Sequence, residues 1–173
     1  MDKPQEVPGD VGGQIGSSEP TNEMMRDMFA QYGFAAYWGQ RLENTLVQTL
    51  TFLARVINHA TPPADLSSLE LTAQKKTLGW LLRELRSKVN PAEPVEEMLD
   101  KALDQRNFLT HHFFRERQEE TASAEGLVRM VKELHEIGEL LAQANQVMTV
   151  LAKILLKVIR KDAERLTADQ NLG

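Results

Sequence analysis

Apolar side chains recur every third or fourth residue through two long stretches of this chain, from Thr21 to about Ala60 and from about Ala124 to Leu166. That spacing fits the periodicity of an amphipathic helix and no strand pattern. Each stretch would be about 60 Å long if unbroken, at the standard helical rise, so the fold must be arranged around elements as long as a small domain is wide. Met25, Met28, Phe29, Tyr32 and Ala36 open the first stripe, and Leu42, Leu46, Leu50, Leu53 and Ile57 continue it. Aromatic residues make up only 6% of the sequence, which leaves few of the side chains that strands prefer. The expectation is an all-α fold: an antiparallel bundle of four main helices with a long C-terminal helix.

At 173 residues, 42% of them hydrophobic, the chain can bury one sizeable core. A single helical domain is expected over residues 21–166. Residues 1–20 are rich in Gly and Pro and read as a disordered tail, and residues 167–173 as a flexible C-terminus. Within the first helix, Gly33 and Gly39 each cost about 1 kcal/mol relative to Ala, which suggests a close helix crossing, a bend or a gap for a ligand. The neighbouring Tyr37 and Trp38 suit either core or pocket lining.

After Thr61-Pro-Pro-Ala-Asp65 breaks the chain, Ser67-Ser-Leu-Glu70 has the form of a capping box. A second helix would run from there through Leu71, Leu78, Leu81, Leu82 and Leu85 to Asn90-Pro91, with Gly79 beside Trp80 again suggesting tight packing. Pro94 suits the first turn of a third helix, where Glu93, Glu96 and Glu97 complement the helix dipole. Thr121-Ala-Ser123 offers a cap for the last helix.

The third helix carries the chemistry. At about 100° per residue, Leu99, Ala102, Leu103, Leu109, Phe113 and Phe114 share one arc, and Arg106 falls in the middle of it. Asn107 and His111, four apart, stack along one edge of that stripe, while Phe108 and His112 point elsewhere. A guanidinium on a core stripe could simply be paired with a carboxylate, for which Glu43, Glu70 and Glu84 are candidates. A histidine there could equally be a satisfied rim residue.

Arg106-Asn107-x-x-x-His111 has the form of the Arg-x4-6-His signature, with a polar residue after the arginine, and the chain resembles the HEPN superfamily of small all-helical proteins. Thr77-Leu-Gly-Trp80 and His111-His-Phe-Phe-Arg-Glu-Arg117 also resemble stretches in a group of bacterial proteins. The resemblance implies a helical bundle, commonly a homodimer, with the motif at the subunit cleft. It implies a metal-independent endoribonuclease of toxin or defence type, opposed in some cases by a nucleotidyltransferase-type antitoxin. Carried over by position, Arg106 and His111 would be the catalytic pair and Asn107 the supporting polar residue. His112 satisfies the looser spacing and is the alternate. Arg115 and Arg117 lie within about two turns of His111, where they could hold an RNA backbone or pair with Glu116, Glu119 and Glu120.

The rest of the composition narrows the classes. No cysteine is present, so disulfides and thiolate metal sites are out of reach. A net charge of -5 argues against broad non-specific attraction to nucleic acid, so any RNA contact must be local. The start of the chain lacks the pattern of a signal peptide and no run of apolar residues is long enough for a transmembrane helix, so a cytoplasmic protein is expected. Glu133-Leu-His135 has the wrong spacing for a di-metal bundle, His59 stands by itself at a helix end, and no Gly-rich phosphate loop occurs. No metal or cofactor is expected.

In the last helix, Val147, Val150, Ile154, Leu156 and Ile159 widen the apolar arc, and Lys153, Lys157, Arg160 and Lys161 occupy the remaining strip. Three readings fit: a bundle helix covered by the first helix, a seam with a second chain or partner helix, or a helix lying on a membrane surface. For the chain as a whole the alternative to a ribonuclease is a non-catalytic helical interaction module, with Arg106 and His111 as polar glue.

Overall fold

The computed structural model describes residues 18–58 and 76–170. The first apolar stripe forms α1, Asn22–Asn58, where Thr21 accepts from the Met24 amide at 3.2 Å and so caps the first turn. The next described helix, α2, is Leu78–Lys88. Its N-cap is Thr77, whose hydroxyl accepts from the Trp80 amide at 3.3 Å. The helix expected to run unbroken from Ser67 is therefore corrected: Lys76 and Thr77 are not helical. The capping box Ser67–Glu70, Leu71 and His59 lie outside the described residues.

Helix α3, Glu93–His111, has Pro94 in its first turn and Glu93 and Glu96 beside it, as the sequence suggests. It does not continue to Arg117. His112 has φ -127° and ψ -30° and ends α3, and the one-turn α4, Phe113–Glu116, follows. The single stripe drawn through Leu99 and Phe114 is thus corrected: the bend keeps Phe113 fully buried and turns Phe114 outward. A 3-10 turn, Glu119–Ala122, leads to α5, Ala124–Gln170. Ser123 caps α5, accepting from the Gly126 amide at 3.1 Å. Helix α5 passes the expected boundary at Leu166 and extends to Gln170.

Helices α1 and α5 share the longest seam, and they run parallel. Ala124 N–H donates to the Ser18 carbonyl at 3.0 Å, Gly138 lies against Phe34 and Ala35, Gly39 against Leu141, and Thr45 against Asn145. Matched positions therefore rise together along both helices. Helices α2 and α3 form the antiparallel hairpin that their short connection requires, with Gly79 against Leu103 and Arg86 bonded to Asp100. The expected antiparallel bundle is corrected accordingly. Among the described residues, α1, α2 and α5 run in one sense and α3 in the other.

Leu42, Leu46, Leu81, Leu85, Leu99, Leu127, Leu134 and Leu141 form the centre of one continuous core. Within it, the Thr45 hydroxyl lies 2.7 Å from Asn145 Oδ1 and 2.9 Å from the Arg41 carbonyl, and its one proton is donated to the nearer, Asn145. A buried polar pair of this kind favours the register that satisfies both partners, because sliding either helix would leave one unmet. Among the described residues no helix is long and apolar enough to cross a membrane.

Candidate functional site

The last two turns of α3 lie against the first half of α1. Leu109 is buried and its carbonyl accepts from the Tyr32 hydroxyl at 3.4 Å, which ties that end of α3 to α1. Tyr32 also packs against the Phe113 and Phe114 rings, at centroid distances of 6.2 and 4.8 Å. The chain is thereby anchored to α1 just beyond Arg106.

Arg106 crosses α1 at Gly39. A Cβ at that glycine would meet Arg106 Cγ at 3.4 Å and Leu141 Cδ1 at 3.9 Å. The small residue in the long helix thus marks where the arginine stem passes. Beyond it, the guanidinium Nη2 is ion-paired with Glu43 Oε1, one turn further along α1, and Nη1 donates to Asn107 Oδ1 at 3.3 Å. Of the three carboxylates considered, Glu43 is the partner. Glu84 is ion-paired with Lys88 at 3.1 Å, and Glu70 lies outside the described residues. The Arg106 and Glu43 side chains remain 24% and 26% exposed, so the pair sits at the rim of the core, where solvent still reaches it. Arginine has five N–H donors, and the contacts to Glu43 and Asn107 leave others for a ligand.

His111, at the last position of α3, is exposed, and no hydrogen bond or ion pair among the described residues joins it to Arg106. His112 is half-buried, and its Nδ1 accepts from Arg115. The two imidazoles face each other edge-on with centroids 6.2 Å apart. His111 is the more accessible and the less restrained of the two.

The two downstream arginines differ. Arg117 forms a fork with Glu133, Nε to Oε2 at 2.8 Å and Nη2 to Oε1 at 2.7 Å, lies 3.6 Å from Glu120, and rests over the Phe108 ring. The hydrogen bonds that Arg117 donates to Glu133 raise its pKa, burial opposes this, and the charges of Glu133, Glu120 and Glu116 add to the rise. A raised value keeps the guanidinium charged throughout the accessible alkaline range, so the clamp persists there. Arg117 is a brace between α4 and α5. Arg115 is mostly exposed, with Glu116 only at 3.9 Å, and is the one of the pair whose charge faces solvent. Glu116, Glu119 and Glu120 line the same open depression.

Sequence reasoning put Phe29 and Phe114 on apolar core stripes and left Tyr37 between core and pocket lining; the placement of the two phenylalanines is corrected. Phe29 and Tyr37 on α1 and Phe114 on α4 are all exposed, and Phe29 and Phe114 stack with centroids 6.0 Å apart. Gly33, between Phe29 and Tyr37, has nothing within 4 Å of where its Cβ would be. The signal was present in the spacing: Phe29, Gly33 and Tyr37 are four apart and form their own row, beside the stripe that enters the core. Among the described residues no three His, Asp or Glu side chains cluster in a way that could hold a metal ion.

No family model matches the chain, and no curated protein or solved structure matches it either.

Proposed function

We propose that this chain is a HEPN-like, metal-independent endoribonuclease that cuts single-stranded RNA in the cytoplasm as a homodimer. The observation that carries the reading is the Arg106 arrangement: a guanidinium at the solvent-reachable rim, braced by Glu43 and Asn107, five residues before an exposed His111.

In the reaction, the ribose 2′-hydroxyl oxygen attacks the adjacent phosphorus while the bond from phosphorus to the 5′-oxygen breaks. The products are a 2′,3′-cyclic phosphate and a free 5′-hydroxyl. His111 takes the 2′ proton, a role suited to imidazole near neutral pH. Arg106 stabilises charge building on the phosphate oxygens. The departing 5′-oxygen needs a proton as well, and His111 of a second copy would supply it, so dimerisation is a chemical requirement. Arg115 offers the nearby cation for the RNA backbone. The exposed rings of Phe29, Tyr37 and Phe114 are surfaces on which bases stack. A nucleotidyltransferase-type antitoxin is the partner this reading implies.

Cleavage of single-stranded RNA in EDTA, with cyclic phosphate ends, is the expected result. His111→Ala should lower the rate by about two orders of magnitude or more, the usual contribution of general acid-base catalysis, and Arg106→Ala should abolish cleavage. Undiminished activity in both variants would sink the reading, and loss confined to His112→Ala would move the role to that residue.

A second reading is favoured by the ion pair itself. If Arg106 and Glu43 serve only to join α1 to α3, the protein is a helical interaction module and does not turn over RNA. Thermal melts of Arg106→Ala separate the two: unchanged stability with lost cleavage means chemistry, while a collapse of the fold means scaffold.

A further inference from the structure

The upper half of α5 presents a surface that the site on α3 does not use. Its inner face, Met148, Ala152, Leu155 and Ile159, is buried. Val150 and Ile154 are 52% and 53% exposed, and Val158 extends the row by another turn. Side chains four apart lie in line along a helix, so these three make a continuous aliphatic ridge. Val89, Pro91 and Val95, from the connection between α2 and α3 and the first turn of α3, stand opposite. Between the two runs an apolar groove of about 310 Å³.

The other edge of the ridge is cationic. Lys153, Lys157, Arg160 and Lys161 are all exposed, and α5 carries no acidic residue between Glu139 and Asp162. Among the described residues none of these four cations makes an ion pair, although elsewhere the protein pairs its arginines and lysines repeatedly. An apolar cleft beside unmatched charges of one sign is complementary to an apolar stripe flanked by charges of the other.

We propose that this groove docks an amphipathic helical segment of another protein, with its aliphatic residues between Ile154 and Pro91 and acidic residues facing Lys153, Lys157 and Arg160. Such seating is the helix-in-groove mode of recognition. A second copy meeting this one through α5 would set the same cations against each other. A bilayer surface cannot follow a concave cleft, and the ridge lacks the aromatic residues that favour a membrane interface. The proposal does not depend on ribonuclease activity.

A display library of amphipathic helices of about 20 residues, long enough for the apolar anchors of a groove binder, with flanking positions randomised among Glu, Gln and Lys, should enrich Glu flanks when selected on the full chain. An enriched peptide carrying a fluorophore should bind saturably, and Ile154→Asp should weaken it by about tenfold or more, as expected for loss of a central anchor. The double variant Lys153→Glu with Lys157→Glu should weaken it similarly and instead accept the Lys-flanked version of the same peptide. That pair alters exposed charges only, so it keeps the test decisive if Ile154→Asp lowers the melting temperature. Failure to enrich Glu flanks, or binding indifferent to both variants, overturns the proposal. So does binding of the full chain to mixed phosphatidylcholine and phosphatidylserine vesicles through these residues, which would assign the face to a membrane. A dimer that Ile154→Asp dissociates would assign it to a second copy, with the same consequence.

Discussion

A charged side chain placed on an apolar helix stripe has to find a counter-charge or reach water, and Arg106 does both. Glu43 and Asn107 hold the guanidinium while a quarter of the side chain stays exposed. Thr45 and Asn145 solve the corresponding problem for neutral groups in the core, where both are almost fully buried. Thr45→Val keeps the shape and removes the hydroxyl, leaving the Asn145 amide buried without its partner. The cost should be about 1–3 kcal/mol, the range for an orphaned buried polar group, read as a lowered denaturant midpoint with an unchanged slope. A loss under a few tenths of a kcal/mol would mean that water replaces the hydroxyl. Of these residues, Arg106 was legible because a charge interrupts an apolar row. Its partner was not, because Glu43 lies 63 positions away and only the crossing of α1 and α3 at Gly39 brings the two together.

The elements differ in how firmly their own residues determine them. Pro94 and Ser123 mark the starts of α3 and α5 through local backbone chemistry, which works over a few residues. The end of α3 is different: residues around His112 have helical spacing, yet the chain bends there and sends Phe113 into the core. The place where the helix breaks is a choice that periodicity does not encode. The glycines separate in the same way. Gly33 faces open space, so Gly33→Ala should stabilise α1 by about 1 kcal/mol through helix propensity alone. At Gly126 a Cβ would lie 2.0 Å from the Glu120 backbone oxygen. Gly126→Ala must displace the 3-10 turn and should therefore destabilise despite the same propensity gain. Chemical denaturation of the two variants side by side should give shifts of opposite sign. Equal shifts would show that the turn before α5 yields freely.

For the whole molecule, the parallel seam between α1 and α5 decides which surfaces remain open. Matched from Ser18 and Ala124 upward, the two helices cover each other's inner faces and leave the aromatic row of α1 on one side and the aliphatic ridge of α5 on another. The proposed reaction needs two copies of His111 in one cleft, so specific activity should fall on dilution as the dimer dissociates, in parallel with the mass found by sedimentation. Mixing Arg106→Ala with His111→Ala subunits should restore nothing, because each mixed pair holds a single imidazole at position 111. Constant specific activity across dilution would show that one chain suffices, and recovery on mixing would show that a single imidazole serves a site shared by two chains.

By itself the amino-acid sequence determined that this protein is helical, where α1, α3 and α5 begin to within a few residues, and which leucines face inward. Hydrophobic spacing and caps act within one or two helical turns, so they can be read without a partner. Tertiary structure alone decided that α1 and α5 run parallel, that Glu43 meets Arg106, that Arg117 is clamped by Glu133, and that Phe29 and Phe114 are left outside. Each of those outcomes depends on the register between elements far apart in the chain, and that register is set by how whole faces pack, which no local pattern specifies.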